Sequence, residues 1–235
     1  MLAAFKNTLF VVFLGLLACG SSTGQKPDPV AQAETLRVGA NRTEAYFPLL
    51  RARRFALVAN GTSVIFRGDG SYVHLADSLM ASGLRPVQVF TPEHGFRGMA
   101  DAGEEVSDTV DRATGLQLVS LYGANRKPQP EQLQGLDLVV FDIQDLGVRF
   151  YTYIATLQLV MEACAEAGVG VLVLDRPNPN ADFVDGPLME DANRSFLGLA
   201  PVPLAYGMTI GEYAQMLNGQ GWLEGGQQAD LTVID

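Results

Sequence analysis

The sequence predicts an α/β fold, a parallel sheet covered by helices on both faces. Three observations carry that prediction. Leu138-Val139-Val140-Phe141 is a short, β-branched apolar run without polar alternation, the pattern of a strand buried on both faces. It breaks abruptly into Asp142, Gln144, Asp145, Arg149, Tyr151 and Tyr153, and other apolar runs of the chain end in the same way. These runs alternate with stretches of helical period, and β-α-β-α order with buried strands means a parallel sheet. Such a sheet places all its carboxyl ends on one edge, where ligands of open α/β sheets bind.

Taken in order, Arg54–Ala59 reads as a strand ending at Asn60-Gly61-Thr62. Tyr72–Ser82 reads as a helix with Leu75, Ala76, Leu79 and Met80 on one face and Gly83 as its C-cap. Pro86–Phe90 is a second strand, ending at Thr91-Pro92-Glu93-His94-Gly95. Residues 97–115 look like a loop, Gln117–Tyr122 like a short peripheral strand and Pro130–Leu133 like a helical turn. Thr152–Ala167 carries Ile154, Leu157, Met161 and Cys164 on one stripe, with Gly168 to end it. Val169–Leu174 is a further buried strand, ending at Asp175-Arg176-Pro177-Asn178. Thr209-Ile210-Gly211-Glu212 is a capping box that opens a helix to about Leu217. Asp230–Asp235 opens a last strand.

The first residues call for a separate reading. Lys6 and the apolar segment Leu9–Leu17 resemble an export signal, and Leu16-Leu17-Ala18-Cys19 resembles a bacterial lipobox. The expectation is a signal peptide over 1–18, a lipidated Cys19 opening a small, polar tether over 19–34, and a catalytic domain over 35–235. Several acyl chains on one cysteine give stable membrane anchoring. Gly20 after that cysteine fits sorting to the outer membrane, facing the periplasm. Cys164 is then the one cysteine left, so no intramolecular disulfide is expected, and its place on an apolar helical stripe marks a buried, inert thiol. Asp+Glu 26 against Lys+Arg 16 gives a net charge of −10, which argues against nucleic acid as a partner.

Four strand ends carry polar clusters: Asn60; Glu93 and His94; Asp142 and Asp145; Asp175 and Arg176. Each has an ordinary structural explanation, such as an aspartate capping a helix or Arg149 pairing with Asp145. Their co-occurrence at strand ends points to one site. No glycine-rich phosphate cradle and no G-x-S-x-G nucleophile elbow is present. His74 and His94 are the only histidines, and His74 reads as part of a helix surface. No zinc centre is therefore expected and no cofactor is called for, while carboxylates of this kind leave a bound magnesium ion open. Carboxylates beside tyrosines and arginines suit glycoside hydrolysis, in which an acid protonates the leaving oxygen.

TPEHGFRG (91–98), DAGEEV (101–106), SLYGANRKP (120–128), FDIQDLGVRFYTY (141–153), LDRPNP (174–179) and YGMTIGE (206–212) occur in this order. From about Phe55 to Asp235 the chain resembles the NamZ-type exo-β-N-acetylmuramidases of bacterial cell-wall recycling. The resemblance implies a Rossmann-like amino-terminal domain, a smaller carboxyl-terminal domain, and a site in the cleft between them. It also implies release of N-acetylmuramic acid from the non-reducing ends of peptidoglycan fragments, with muramyl saccharides as partners. The sequence stops where the second domain is due, so a truncated carboxyl-terminal part is expected.

Within that reading Glu93 is the expected general acid, raised toward the working pH by partial desolvation at a buried strand end. The competing reading pairs it with Arg97. Asp142 is expected as acid/base partner or as a group that orients the sugar. The second catalytic step falls either to the substrate's 2-acetamido group or to Tyr151, and Tyr151 and Tyr153 can equally pack the helix start. The lactyl carboxylate of the substrate demands a cation, with Arg97, Arg149 and Arg176 as candidates and Arg176 held by Asp175. Asn60, His94, Asp145, Asp175 and Asn178 complete the expected binding set. Two other classes fit the same residues: a non-catalytic cell-wall-binding lipoprotein, and a different carbohydrate or phosphate-ester hydrolase on this fold.

Overall fold

The structure is a computed structural model that describes residues 36–92, 95–97 and 109–235. Its elements in chain order are α1 (Thr43–Leu50), β1 (Phe55–Ala59), β2 (Val64–Phe66), β3 (Tyr72–His74), α2 (Leu75–Ala81), β4 (Val89–Thr91) and β5 (Thr109–Val110). There follow β6 (Gln117–Ser120), α3 (Pro130–Leu133), β7 (Leu138–Asp142), α4 (Tyr153–Ala167), β8 (Gly170–Leu174), α5 (Ile210–Gln220) and β9 (Leu231–Ile234). Seven strands form one sheet in the order β5-β6-β4-β1-β7-β8-β9. All neighbours pair in parallel except β5, which runs antiparallel to β6 on the edge.

The apolar runs explain this arrangement. Every residue of β1, β7 and β8 is buried, because successive side chains enter two different cores. Phe55, Leu57 and Ala59 join Leu138, Val140, Leu172 and Leu174 beneath α1 and α2. Ala56, Val58, Val139, Phe141, Val171 and Val173 enter the other core, with the inner faces of α4 and α5. Burying each of the larger side chains contributes about 1.5–3 kcal/mol. Cys164 lies in this second core, where burial pushes its thiol up to about 12.

The helix ends follow the sequence signals. Gly168 and Gly221 end α4 and α5 in the left-handed conformation. Thr209 and Glu212 form the expected capping box of α5. Gly83, with φ +74, follows α2, and Leu84 N returns to Leu79 O at 2.9 Å while Gly83 N reaches Met80 O at 3.1 Å. That pair of bonds is a Schellman closure.

Three expectations are corrected. Tyr72–Ser82 is not one helix, because Tyr72–His74 pairs antiparallel with Val64–Phe66 as a hairpin. Asp69 Oδ1 pins its turn by accepting from Ser71 N at 2.9 Å, and the helix begins only after His74. Residues 109–110, read as loop, add β5 to the sheet edge. The second strand lies at Val89–Thr91, three residues later than expected at its start. Helix α1 carried no predicted element.

The topology also locates a crevice. From β1 the chain passes α2 to reach β4 on one side, whereas from β7 it passes α4 to reach β8 on the other. Neighbouring strands β1 and β7 therefore part company at their carboxyl ends, which is a topological switch point.

Candidate active site

Beyond β1, Asn60 is 3% exposed and organises a tight turn. Its Oδ1 accepts from Thr62 N at 2.8 Å and Thr62 Oγ1 at 2.6 Å. Its backbone N donates to Ser63 Oγ at 3.0 Å, and Ser63 Oγ donates in turn to the Asp142 carbonyl. Gln144 N donates to Thr62 Oγ1 at 2.9 Å, so the β1 and β7 ends are tied together across the switch point. His74 is not a helix-surface residue. Its Nδ1 accepts from Ala76 N at 3.2 Å as the N-cap of α2, which leaves the proton on Nε2 to bond Asn60 O at 2.9 Å. The acceptor bond at Nδ1 needs the neutral ring, and burial lowers the pKa, with the Nε2–H bond to Asn60 O opposing.

Beyond β4, Thr91 is fully buried; Glu93 and His94 lie outside the described residues. Phe96 packs edge-on against His74, with ring centroids 4.7 Å apart. Arg97, expected to take the substrate carboxylate, is held by two aspartates instead. It bonds Asp77 at 2.9 and 3.1 Å and Asp111 at 2.9 Å through two nitrogens. Its guanidinium holds the Asp111 carboxyl well below the usual carboxylate range.

Beyond β7, Asp142 has no exposed surface. Both of its oxygens sit in the fork of Arg176, with Nε at 2.6 Å and Nη2 at 3.0 Å. Arg176 Nη2 also reaches Val64 O at 3.0 Å and so fastens the hairpin over the sheet. Burial pushes the Asp142 carboxyl up while the guanidinium pulls it back. Both Asp142 oxygens are therefore taken up by Arg176, and neither is exposed. The expected pairing of Arg176 with Asp175 is limited to a backbone bond from Arg176 N to Asp175 Oδ1 at 2.9 Å.

Asp145 does not pair with Arg149. It accepts from Tyr206 Oη and, at 2.7 Å, from Gly147 N, while its other oxygen is buried without a partner. Burial raises this carboxyl, with the Tyr206 bond opposing. Arg149 is 8% exposed and donates through Nη1 to Pro187 O at 2.9 Å and Val202 O at 2.5 Å. The backbone of this loop is clamped too, with Arg149 N on Leu204 O at 2.7 Å and Tyr206 N on Gly147 O at 3.2 Å. Tyr151 follows, half-buried and edge-on to Tyr153 with centroids 5.0 Å apart.

Beyond β8, Asp175 serves the start of α5. It accepts from Thr209 Oγ1 at 2.7 Å and from Gly211 N at 2.7 Å. A Cβ at Gly211 would lie 2.7 Å from Asp175 Cγ, which is why glycine stands there. Asn178 donates to Met208 O at 2.9 Å and accepts from Asn180 N at 2.8 Å.

The strand ends thus converge on one edge, and among the described residues Asp142 is engaged by Arg176, Asp175 by α5, and Asp145 through one oxygen only, by Tyr206 and Gly147. Among the described residues no three His, Cys, Asp or Glu side chains are grouped to hold a metal. The sequence reading missed Thr62, Ser63, His74, Asp77, Asp111 and Tyr206 as supports. Only Tyr206, inside YGMTIGE, lay in a motif that had been singled out with the site.

Comparison with known proteins identifies the family. A family model described as exo-beta-N-acetylmuramidase NamZ, N-terminal, matches residues 55–235. The peptidoglycan beta-N-acetylmuramidase NamZ of Bacillus subtilis (strain 168) is 38% identical over 237 residues, covering 97% of this chain and 55% of its own length. Two crystal structures of DUF1343 family proteins from Bacteroides fragilis NCTC 9343 share the fold. One is 40% identical with a TM-score of 0.72, covering 84% of this chain and 51% of its own. The other is 37% identical with a TM-score of 0.75, covering 85% and 49%. The chain spans about half the length of each of these relatives. It belongs to the NamZ family, and it corresponds to that family's amino-terminal domain.

Proposed function

We propose that this chain carries the catalytic domain of an exo-acting β-N-acetylmuramidase, which releases N-acetylmuramic acid from the non-reducing ends of peptidoglycan fragments. The similarity to a peptidoglycan β-N-acetylmuramidase supports the substrate class. The observation that carries the mechanism is the state of the strand-end carboxylates. Asp142 and Asp175 are committed to internal bonds and Asp145 is held through one oxygen by Tyr206 and Gly147, which favours Glu93, two residues beyond β4, as the acid. Glu93 protonates the glycosidic oxygen as the bond to the anomeric carbon breaks. Tyr151 supports the positive charge that develops on the sugar. Asp142 and Arg176 are positioning residues that keep the β1 and β7 turns in register. A lipid on Cys19 holds the enzyme at the outer membrane, beside its polymer.

Incubation with peptidoglycan fragments that begin in N-acetylmuramic acid tests the reading. Mass spectrometry is expected to detect the free muramic sugar, with fragments that begin in N-acetylglucosamine left intact. Release of a disaccharide, or of N-acetylglucosamine alone, would overturn the assignment.

A further inference from the structure

A site that selects the lactyl carboxylate needs a cation whose donors face outward, and the three arginines expected for this are committed elsewhere. Arg97 is forked by two aspartates, Arg176 by Asp142, and Arg149 lies against backbone carbonyls. Other basic residues stand toward the amino ends of the strands, are paired, or have no ring to hold them. Arg51, Arg53 and Arg54 precede β1, Arg85 precedes β4 and Arg112 precedes β6, which puts them toward the amino ends of the strands. Arg42 and Arg67 flank the contact of Asn41 with Phe66, where no aromatic ring among the described residues holds either guanidinium. Arg194 pairs with Asp191, and Lys127 with Glu166.

Arg126 is different. It lies in the exposed segment that leaves β6, the strand next to β4. Its guanidinium carbon sits 4.4 Å from the centroid of the half-buried Phe196 ring. No carboxylate or carbonyl among the described residues engages its nitrogens. A guanidinium stacked on a ring keeps its in-plane N–H fork free, and the fork matches a carboxylate bidentately. Both neighbours restrain it. Lys127 is tied to Glu166 at 2.7 Å. Phe196 belongs to the Ser195–Gly198 turn, and Gly198 packs against Arg149 Cδ so closely that a Cβ there would come within 3.3 Å. The ring that carries the cation is therefore two residues from Gly198, which packs against Arg149 in the loop that leads to Tyr151.

We propose that Arg126, held on Phe196, captures the lactyl carboxylate of the substrate and sets the preference for muramides over glucosaminides. This inference rests on the muramidase reading. Losing a charge-assisted bidentate contact corresponds to roughly a ten- to hundredfold loss in affinity.

The test uses the whole chain and two readouts: calorimetric binding of free N-acetylmuramic acid, and turnover of the 4-nitrophenyl β-N-acetylmuramide against the β-N-acetylglucosaminide. Arg126→Ala is expected to weaken binding of the acid sugar and to lower the muramide-to-glucosaminide ratio by that factor. Arg126→Lys recovers part of it, and Phe196→Ala gives a smaller loss because the charge remains but its orientation relaxes. A folded Arg126→Ala protein with unchanged binding and unchanged ratio removes Arg126 while leaving the muramidase reading intact. A wild-type protein that neither binds N-acetylmuramic acid nor cleaves its glycoside removes both. If the wild type binds the acid sugar without turnover, the binding comparison alone decides on Arg126.

Discussion

Replacing Asp142 by Asn probes the contact on which the strand-end turns depend. The substitution conserves volume, so no cavity is made, yet it leaves the Arg176 guanidinium buried without its counter-charge. In the native protein the side chains of the pair are 2% and 0% exposed, with N···O distances of 2.6 and 3.0 Å. Removing one partner of such a pair costs about 3–5 kcal/mol. For a folded domain of this size each kcal/mol lowers Tm by about 2–4 °C, so the expected fall is roughly 6–20 °C. Thermal unfolding followed by circular dichroism measures it. The double replacement Asp142→Leu with Arg176→Met removes both charges together and is expected to be more stable than Asp142→Asn. An Asp142→Asn protein that melts within about 2 °C of wild type, or a double variant less stable than the single, would refute the claim that a buried charge pair is held there.

Further expectations follow from single residues. His74 titrates below its ordinary value because burial favours the neutral ring. The unfolded chain therefore binds the proton more readily, and this contribution to stability is complete above about pH 6.5 and declines as the pH falls through the lowered value. Denaturant melts between pH 7.5 and 5 are expected to show that slope in wild type and a flatter one in His74→Asn, which keeps a capping side chain; equal slopes contradict the assignment. Asp111 is held low by Arg97, so its contribution is present above about pH 4 and lost as the pH falls further. Asp111→Asn should accordingly weaken the acid sensitivity of unfolding, and an unchanged acid midpoint counts against it. At Gly39 a Cβ would strike Ile234 O and lie 2.5 Å from Asp175 N. Both atoms are backbone and cannot move aside, so Gly39→Ala is expected to lower expression of soluble protein, and a Tm equal to wild type would contradict that packing. Cys19→Ser is expected to move the protein from the membrane to the soluble envelope fraction, and persistence in the membrane pellet argues against lipidation.

Much of the sheet was legible because double burial leaves an unmistakable trace. Five-residue apolar runs at β1, β7 and β8 have no surface face on which polar residues could alternate. The hairpin was not legible. Val64–Phe66 and Tyr72–His74 are three residues each, and the tyrosine, valine and histidine of the second can extend a helical stripe as readily as they form a strand. For the site, the convergence of strand ends could be read, but not the pairing among them. Arg176 reaches back 34 residues to Asp142, and Tyr206 reaches 61 residues to Asp145. Sequence neighbours, Asp145 with Arg149 and Asp175 with Arg176, were the natural partners to expect. Burial decided otherwise, since a desolvated carboxylate takes whichever donors the packed fold leaves within reach.

Glu93 is the proposed proton donor in muramide hydrolysis. Release of 4-nitrophenol from its β-N-acetylmuramide, compared between wild type and Glu93→Gln, tests it most directly. The wild-type chain is expected to turn the substrate over, and Glu93→Gln to lose most of that turnover with an unchanged melting profile. Near-wild-type release by Glu93→Gln would contradict it.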